Sequence, residues 1–162
     1  MIMTKFVALI DIDNCFMDSR SLLNKYAGDW DMFAKNLSLA KPNKAFIDFI
    51  LETQKVEDFI PIFTTGREDR EGVLETTISQ IEEGSEGRLK VGENCYLFLR
   101  EKGDYRKNYE VKKDMLEAIR TQYYPILAVD DDKNTCAMYA ENGVPIVKYY
   151  DITNDGYYTV EV

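Results

Sequence analysis

"ILAVDDDKNT", residues 126–135, carries four apolar residues directly into three consecutive carboxylates, Asp130, Asp131 and Asp132. An apolar run of this kind is typical of a buried β-strand, and ligands of parallel sheets bind where the strands end. Each carboxylate raises the cost of ionising its neighbour, so a cation is the expected partner of the cluster. Solvation of the triplet at the surface is the alternative, but the preceding apolar run favours burial of at least Asp130.

Four further apolar runs alternate with amphipathic segments along the chain. The predicted strands are "KFVALID" (5–11), "DFIPIFTT" (58–65), "CYLFLR" (95–100), the run at 126–131 and "VPIVKYY" (144–150). The predicted helices cover about 42–54, 71–83, 109–121 and 134–142, the last closed by Gly143. Strands that are apolar throughout belong to a sheet covered on both faces. The pattern predicts an α/β fold: a doubly wound, mainly parallel, five-stranded Rossmann-like sheet.

One stretch departs from this alternation, at about residues 17–41. It contains "GDWDMFAKNLSL", in which Trp30, Phe33 and Leu37 share a helical face behind Asp29, a predicted N-cap. We expect a small, cap-like helical insertion over the carboxyl edge of the sheet. The sequence shows no second domain boundary, so we predict a single domain over residues 1–162.

The composition restricts the available chemistry. Histidine is absent, which removes the commonest general base, Ser-His and Cys-His nucleophile pairs, and most transition-metal sites. Catalysis must therefore use carboxylates, lysine, arginine, hydroxyls and metals that prefer oxygen. The formal net charge of −9 argues against broad nonspecific binding of nucleic acid, although a local basic patch can still hold a strand end.

Cysteine usage and the amino terminus predict the cellular setting. The 3 cysteines are distant from one another and odd in number, so they signal neither a disulfide framework nor a zinc site. The first apolar run is too short to span a bilayer and is interrupted by acids. We therefore expect a cytoplasmic protein without a membrane association.

Two more polar clusters follow predicted strands. Asp11 and Asp13 come after the first strand, and residues two apart project to the same side of an extended segment. Thr65, Gly66 and Arg67 follow the second strand, where hydroxyls and backbone N–H groups at a helix start suit an oxyanion. Taken alone, each cluster has a structural alternative: an Asx turn for the first and a helix cap for the second.

A basic run, "GDYRKNYEVKKDML" (103–116), opens a predicted helix. Cations are disfavoured at a helix amino terminus, so a local anion would explain Arg106, Lys107, Lys112 and Lys113. A solvated basic face is the alternative.

The order of these clusters resembles the four motifs of haloacid dehalogenase-like (HAD) phosphohydrolases over nearly the whole chain. The run 103–116, followed by "ILAVDDDKNTCAMYAENGVPIVKY" (126–149), is similar to the 3′-phosphatase domain of phage polynucleotide kinases and their stand-alone phage relatives. The Asp-Trp-x-x-Phe insertion also resembles those relatives. The sequence contains no G-x-x-x-x-G-K-[ST] loop, so we expect no kinase domain in it.

The resemblance implies an Mg²⁺-dependent phosphatase that forms an aspartyl-phosphate. Asp11 would be the nucleophile and Asp13 the general acid and base, helped if acidic neighbours raise the pKa of Asp13. Asp11, the Asp13 carbonyl, Asp130 and Asp131 would hold the metal, with Asp131 acting directly or through water. Asp132 is expected outside this ligand set.

The remaining roles concern the substrate. Thr65 would hold the transferred oxygens, and Lys112 would neutralise the intermediate, with Lys113 as the alternative if the register shifts by one residue. Gly66, Arg67 and Arg106 would bind the substrate.

Two positions depart from the family pattern, which places glycine and threonine after the paired aspartates. Here the residues are Asn14 and Cys15. Asparagine tolerates a left-handed conformation, so Asn14 is expected to make the same turn. Cys15 is interpreted as a small packed thiol rather than a nucleophile, because no histidine is available to lower its pKa.

The expected substrate is a phosphorylated nucleotide or nucleic-acid end, with removal of a 3′-phosphate from polynucleotides as the first hypothesis. A 5′- or 3′-nucleotidase acting on mononucleotides is the alternative within the enzymes. A receiver-like or other non-catalytic phosphate-binding module is the alternative outside them, although receivers place the acid pair first and the phosphoacceptor in mid-chain. We expect no obligate protein partner, and a phage origin would place the protein in the host cytoplasm.

Overall fold

The structure is a computed structural model that describes residues 5–153 and 156–159. The strands are β1 (Lys5–Ile10), β2 (Met17–Asp18), β3 (Lys41–Pro42), β4 (Ile60–Glu68), β5 (Tyr96–Arg100), β6 (Tyr123–Asp130), β7 (Ile146–Asp151) and β8 (Gly156–Thr159). The helices are α1 (Arg20–Tyr26), α2 (Trp30–Lys35), α3 (Lys44–Glu57), α4 (Val73–Gly84), α5 (Asn108–Arg120) and α6 (Lys133–Glu141), with a 3₁₀ turn at Leu37–Leu39.

The main sheet has the strand order β5-β4-β1-β6-β7-β8. The first five of these strands run parallel, which confirms the predicted α/β sheet. β8 adds an antiparallel sixth strand beside β7 that the sequence analysis did not include. This edge strand is only 4 residues long, too short for a periodicity to stand out.

Helices cover the sheet on both faces, as the apolar strands predicted. Alternate residues of β1 point to opposite faces, so Ala8 and Ile10 join one hydrophobic cluster while Val7 and Leu9 join the other. The first cluster includes side chains of α3 and α4, and the second includes side chains of α5 and α6. The two clusters hold the central strands β1 and β6 rigidly, and the site lies where these strands end.

The insertion after β1 is helical, as expected, and a short pair of strands joins its two ends. β2 and β3 pair there as antiparallel strands, Met17 opposite Pro42 and Asp18 opposite Lys41. The side chain of Asp29 accepts a hydrogen bond from the Met32 N–H at 3.2 Å, which confirms it as the N-cap of α2. The strand pair fixes the two ends of the insertion to each other.

Helix ends follow the local signals. Gly143 has φ of 82° just after α6, the left-handed conformation that glycine adopts without a steric penalty. Asn14 has φ of 62°, which is the left-handed conformation. Asparagine therefore makes the turn after Asp13 at the position where the HAD pattern has glycine. Within the described residues, none of the helices combines the length and hydrophobicity needed to cross a bilayer.

Candidate active site

The sheet register brings the first and fourth predicted strands together at their carboxyl ends. Ile10 lies opposite Val129 in the β1–β6 pair, and the Asp11 N–H donates to the Val129 carbonyl at 3.1 Å. The next side chains are therefore Asp11 and Asp130, and both are buried, 5% and 1% exposed. Acids that are 119 positions apart in the chain thus share one buried corner.

Lys112 joins these two carboxylates. Its Nζ donates to Asp11 Oδ1 at 2.8 Å and to Asp130 Oδ2 at 2.6 Å, and the side chain is buried. Burial opposes the charged amine, but the two carboxylates outweigh it and hold the pKa of Lys112 well above its ordinary value. Lys113 is exposed on the other face of α5. Of the two lysines that the sequence left open, the structure places Lys112 beside the acids.

Asp131 completes an acidic cluster that one lysine does not neutralise. Burial and the charge of Asp11 raise the pKa of Asp130 to about 7, and burial and contact with Asp11 raise that of Asp131 to about 10. Carboxylates that resist ionisation for this reason favour a cation among them, and hard oxygen donors suit Mg²⁺. The donor set of Asp11, Asp130 and Asp131 therefore fits the metal implied by the sequence. We call these three acids with Lys112 the carboxylate floor.

Cys15 lies beside this floor. Its sulfur and one carboxylate oxygen each of Asp11 and Asp131 lie within 4.8 Å of one another. The thiol is completely buried, and burial with the neighbouring acids raises its pKa well above the ordinary value. A thiol held neutral is a poor nucleophile, so the interpretation of Cys15 as a packed thiol agrees with the structure.

Asp13 forms a second, separate ion pair with Arg67. The Arg67 guanidinium donates from Nε to Asp13 Oδ2 at 3.0 Å and from Nη2 to Asp13 Oδ1 at 2.8 Å. The Ser19 hydroxyl donates to Asp13 Oδ1 at 2.6 Å. Burial raises the pKa of Asp13, but the charge and hydrogen bonds of Arg67 outweigh burial, and the net pKa is lowered. The raised pKa that would have helped Asp13 to act as an acid is therefore not found, because Arg67 lies directly against this carboxylate.

Arg67 itself is buried and its remaining contacts also lie within the protein. Its Nη1 donates to Thr77 Oγ1 at 3.0 Å and to Gln80 Oε1 at 2.6 Å, both on α4. The structure thus places the guanidinium where it orients Asp13. Binding of substrate by Arg67 stays a prediction.

Thr65 and Gly66 lie within β4, which continues to Glu68, and α4 begins only at Val73, so the expected position of these residues at a helix start was wrong. Thr65 is completely buried and its Oγ1 accepts from the Arg67 N–H at 3.2 Å. A Cβ at Gly66 would overlap the side-chain amide of Asn108, so a larger residue here would displace that side chain. The Gly66 carbonyl accepts from Arg100 Nε at 2.9 Å. Arg100 was missed, although its position at the end of a predicted strand was a usable signal.

Two other predicted residues lie at the edges of the site. Arg106 donates to Asp104 at 2.8 Å and to Asp114 at 2.6 Å, and its side chain is 47% exposed. Asp132 caps α6 by accepting from the Asn134 N–H and from the Thr135 hydroxyl. Asp132 therefore stabilises the start of α6, and its place outside the ligand set stays a prediction.

A cleft of about 510 Å³ connects the carboxylate floor to the surface. Its floor includes Asp11, Lys112 and Asp130, and one wall is formed by the insertion. Four residues at the outer end form what we call the mouth: Trp30, Tyr105, Arg106 and Lys107. Side chains of the insertion thus line the same cleft as the acids at the carboxyl edge of the sheet.

Two solved structures share this fold. "Structure of Pnkp1/Rnl/Hen1 complex" has a TM-score of 0.69 and 20% identity, with 91% of this chain and 46% of that chain covered. "Structure of the Pnkp1/Rnl/Hen1 RNA repair complex" has a TM-score of 0.61 and 20% identity, with 88% and 40% covered. The chain therefore spans less than half the length of either neighbour. Among curated proteins, none matches the chain.

A family match covers most of the sequence. Residues 7–151 match the family described as "Polynucleotide kinase PNKP phosphatase domain". The match begins within β1 and ends with β7, so it contains the carboxylate floor, the Asp13–Arg67 pair and the insertion. The chain belongs to this family of phosphatase domains, within the HAD superfamily.

Proposed function

We propose that this phosphatase is an Mg²⁺-dependent phosphomonoester hydrolase that removes 3′-phosphate from polynucleotide ends through an aspartyl-phosphate on Asp11. The observation that carries the proposal is the contact of one ammonium, Lys112 Nζ, with both Asp11 and Asp130. A nucleophilic carboxylate needs such positive charge, because an anion must attack a phosphate that is itself negative.

The first step forms a bond between an Asp11 oxygen and phosphorus while the bond from phosphorus to the ester oxygen breaks. The ester oxygen leaves with a proton from Asp13. In the second step water attacks the same phosphorus and gives a proton to Asp13, inorganic phosphate departs, and the Asp11 carboxylate is restored. Arg67 favours ionised Asp13, which suits the second step, whereas the first step needs the protonated acid.

The charge in both steps is balanced by residues of the floor. Asp11, Asp130 and the Asp13 carbonyl would hold Mg²⁺, with Asp131 acting directly or through water. When bound, Mg²⁺ supplies the positive charge that lets the carboxylate approach the phosphate. Lys112, which contacts Asp11 and Asp130, would neutralise the Asp11 adduct. Thr65 and backbone N–H groups near Gly66 would hold the transferred oxygens.

Two alternatives remain as competing hypotheses about substrate and assembly. A 5′- or 3′-nucleotidase is compatible with the size of the cleft, which is in the range of small-molecule sites. The solved neighbours are parts of protein complexes, one of them an RNA repair complex, so the absence of an obligate partner stays a prediction. Cytoplasmic location and one domain over residues 1–162 also stay predictions.

A comparison of phosphate release tests the substrate assignment. RNA and DNA oligonucleotides with a 3′-phosphate, the same oligonucleotides with a 5′-phosphate, and 3′- and 5′-mononucleotides are each assayed with Mg²⁺ and with a chelator. The expected result is the highest kcat/KM for the 3′-phosphorylated oligonucleotides, and only with Mg²⁺. A higher kcat/KM for mononucleotides would replace this proposal with the nucleotidase.

A further inference from the structure

The mouth of the cleft exposes two large aromatic side chains. Trp30 is 47% exposed and Tyr105 is 74% exposed, and both line the cleft that leads to Asp11. Trp30 belongs to the insertion and Tyr105 to the segment between β5 and α5. Exposed aromatic surface beside a phosphate-ester site is suited to stacking on the flat face of a nucleobase.

The insertion holds Trp30 in a fixed position. Its ring packs edge-on against Phe33, with ring centroids 5.4 Å apart, and Phe33 is buried in the core. Asp31, the next residue, forms an ion pair with Arg70 of the main domain. The Gln80 side chain of α4 donates to the Leu37 carbonyl at 2.9 Å. These contacts tie the insertion to α4 and to the segment that precedes it, so a base would meet a preorganised platform.

The Tyr105 side of the mouth adds positive charge. Arg106 and Lys107 follow Tyr105 directly, and Lys107 has no ion-pair partner within 4.0 Å in the described part of the chain. The nearby acids Asp104 and Asp31 are each paired with an arginine. The mouth therefore combines aromatic faces with an available ammonium, the combination that binds bases and backbone phosphates of single strands.

We propose that Trp30 is the platform on which a nucleobase of the substrate stacks, with Tyr105 across the mouth and Lys107 facing the phosphate backbone. This proposal rests on the proposed function, because it specifies how the same site holds a polynucleotide end. Every base has a flat π-face, so the platform selects unpaired nucleotides over base-free phosphate esters without strong preference among bases. Trp30 would thus determine substrate class without contacting the reacting phosphorus.

Fluorescence tests the contact directly, because Trp30 is the single tryptophan of the chain. The Asp11→Asn protein, which should bind without turnover, is titrated with a 3′-phosphorylated trinucleotide and with glycerol 3-phosphate. Quenching by the trinucleotide and not by glycerol 3-phosphate is the expected result. Binding of a labelled trinucleotide, measured by anisotropy, with no change in tryptophan emission would overturn the proposal.

Steady-state kinetics of matched variants test the predicted preference for substrates that carry a base. The kcat/KM for a 3′-phosphorylated trinucleotide is divided by that for an abasic analogue of the same length. This ratio should fall about tenfold in Trp30→Ala, recover in Trp30→Phe, and stay at the wild-type value in Tyr124→Ala. Tyr124 is similarly exposed, 49%, but packs against Phe6 away from the cleft.

The outcomes separate this proposal from the proposed function. An unchanged ratio in Trp30→Ala, with all proteins active, overturns base stacking and leaves the phosphatase assignment intact. If no protein releases phosphate from any oligonucleotide, the proposed substrate fails. In that case the quenching experiment still decides whether a base contacts Trp30.

Discussion

The two ends of the cleft are built in opposite ways. At the floor, Asp11, Asp130 and Lys112 are almost completely buried, project from adjacent strand ends and one helix, and are bonded to one another. At the mouth, Trp30 and Tyr105 are exposed and come from an insertion and a connecting segment. Substitutions at the floor should therefore lower kcat for every substrate. Substitutions at the mouth should change only the relative kcat/KM of different phosphate esters.

Removal of the proposed nucleophile, Asp11, should have the largest effect. Asp11→Asn keeps the shape of the side chain but cannot form the acyl phosphate, so kcat should fall by at least about 10³-fold. Asp48→Asn, an exposed acid of α3, is the matched control and should retain full activity. Steady-state release of inorganic phosphate measures both. Equal rates for the two variants would remove Asp11 from the mechanism.

The lysine of the floor should come next. Lys112→Met removes the ammonium that contacts Asp11 and Asp130, so kcat should fall by roughly 10²- to 10³-fold. Lys113→Met makes the same substitution at the neighbouring, exposed lysine and should leave kcat unaltered. If Lys113→Met were the more damaging change, the position of α5 against the floor would be wrong.

The Asp13–Arg67 pair should matter for stability as well as for rate. Arg67→Gln removes the buried cation from the Asp13 carboxylate, which is 19% exposed, so the free energy of unfolding should fall by about 2–4 kcal/mol. Arg106→Gln breaks only exposed ion pairs, and its effect on the same quantity should be much smaller. Urea denaturation followed by circular dichroism compares them. Similar losses in both variants would contradict the buried pairing.

The smallest expected effect is the pH dependence of the contribution that Asp13 makes to the free energy of unfolding. Because Arg67 lowers the pKa of Asp13 in the folded state, the folded chain binds this proton less readily than the unfolded chain. The stabilisation is therefore present above the unfolded pKa, near 3.8, and is lost as the pH falls through the lower, folded value. The difference in unfolding free energy between the wild type and Asp13→Asn should shrink from pH 5 to pH 2. A constant difference would show that the pKa of Asp13 is not lowered.

The floor could be predicted from the sequence because it follows from regular structure. Asp11 and Asp130 come directly after apolar runs, and the ends of parallel strands share one edge of a sheet. The choice of Lys112 as the lysine of the site rested on the family resemblance alone. Lys113 is the next residue in the helix, and the sequence pattern does not show which of the two faces the sheet. Its burial is fixed by the packing of α5 against the sheet, which the sequence pattern does not specify to one residue.

The contacts of Arg67 could not be predicted, because they depend on side chains from separate elements. Asp13 follows β1, whereas Thr77 and Gln80 lie on α4. The sequence placed Arg67 in the correct region but gave no sign that its guanidinium turns towards Asp13. The mouth was missed for a similar reason: Trp30 was recognised as part of a helical face, but its place in the same cleft as Tyr105 depends on how the insertion folds back.

Formation of a stable mimic of the aspartyl-phosphate tests the central claim most directly. Beryllofluoride binds carboxylates as a phosphoryl analogue, and ¹⁹F NMR distinguishes the bound from the free species. We predict bound resonances in the wild-type protein only when Mg²⁺ is present, and none in Asp11→Asn. The same bound resonances in Asp11→Asn would contradict the assignment of Asp11 as the phosphoryl acceptor.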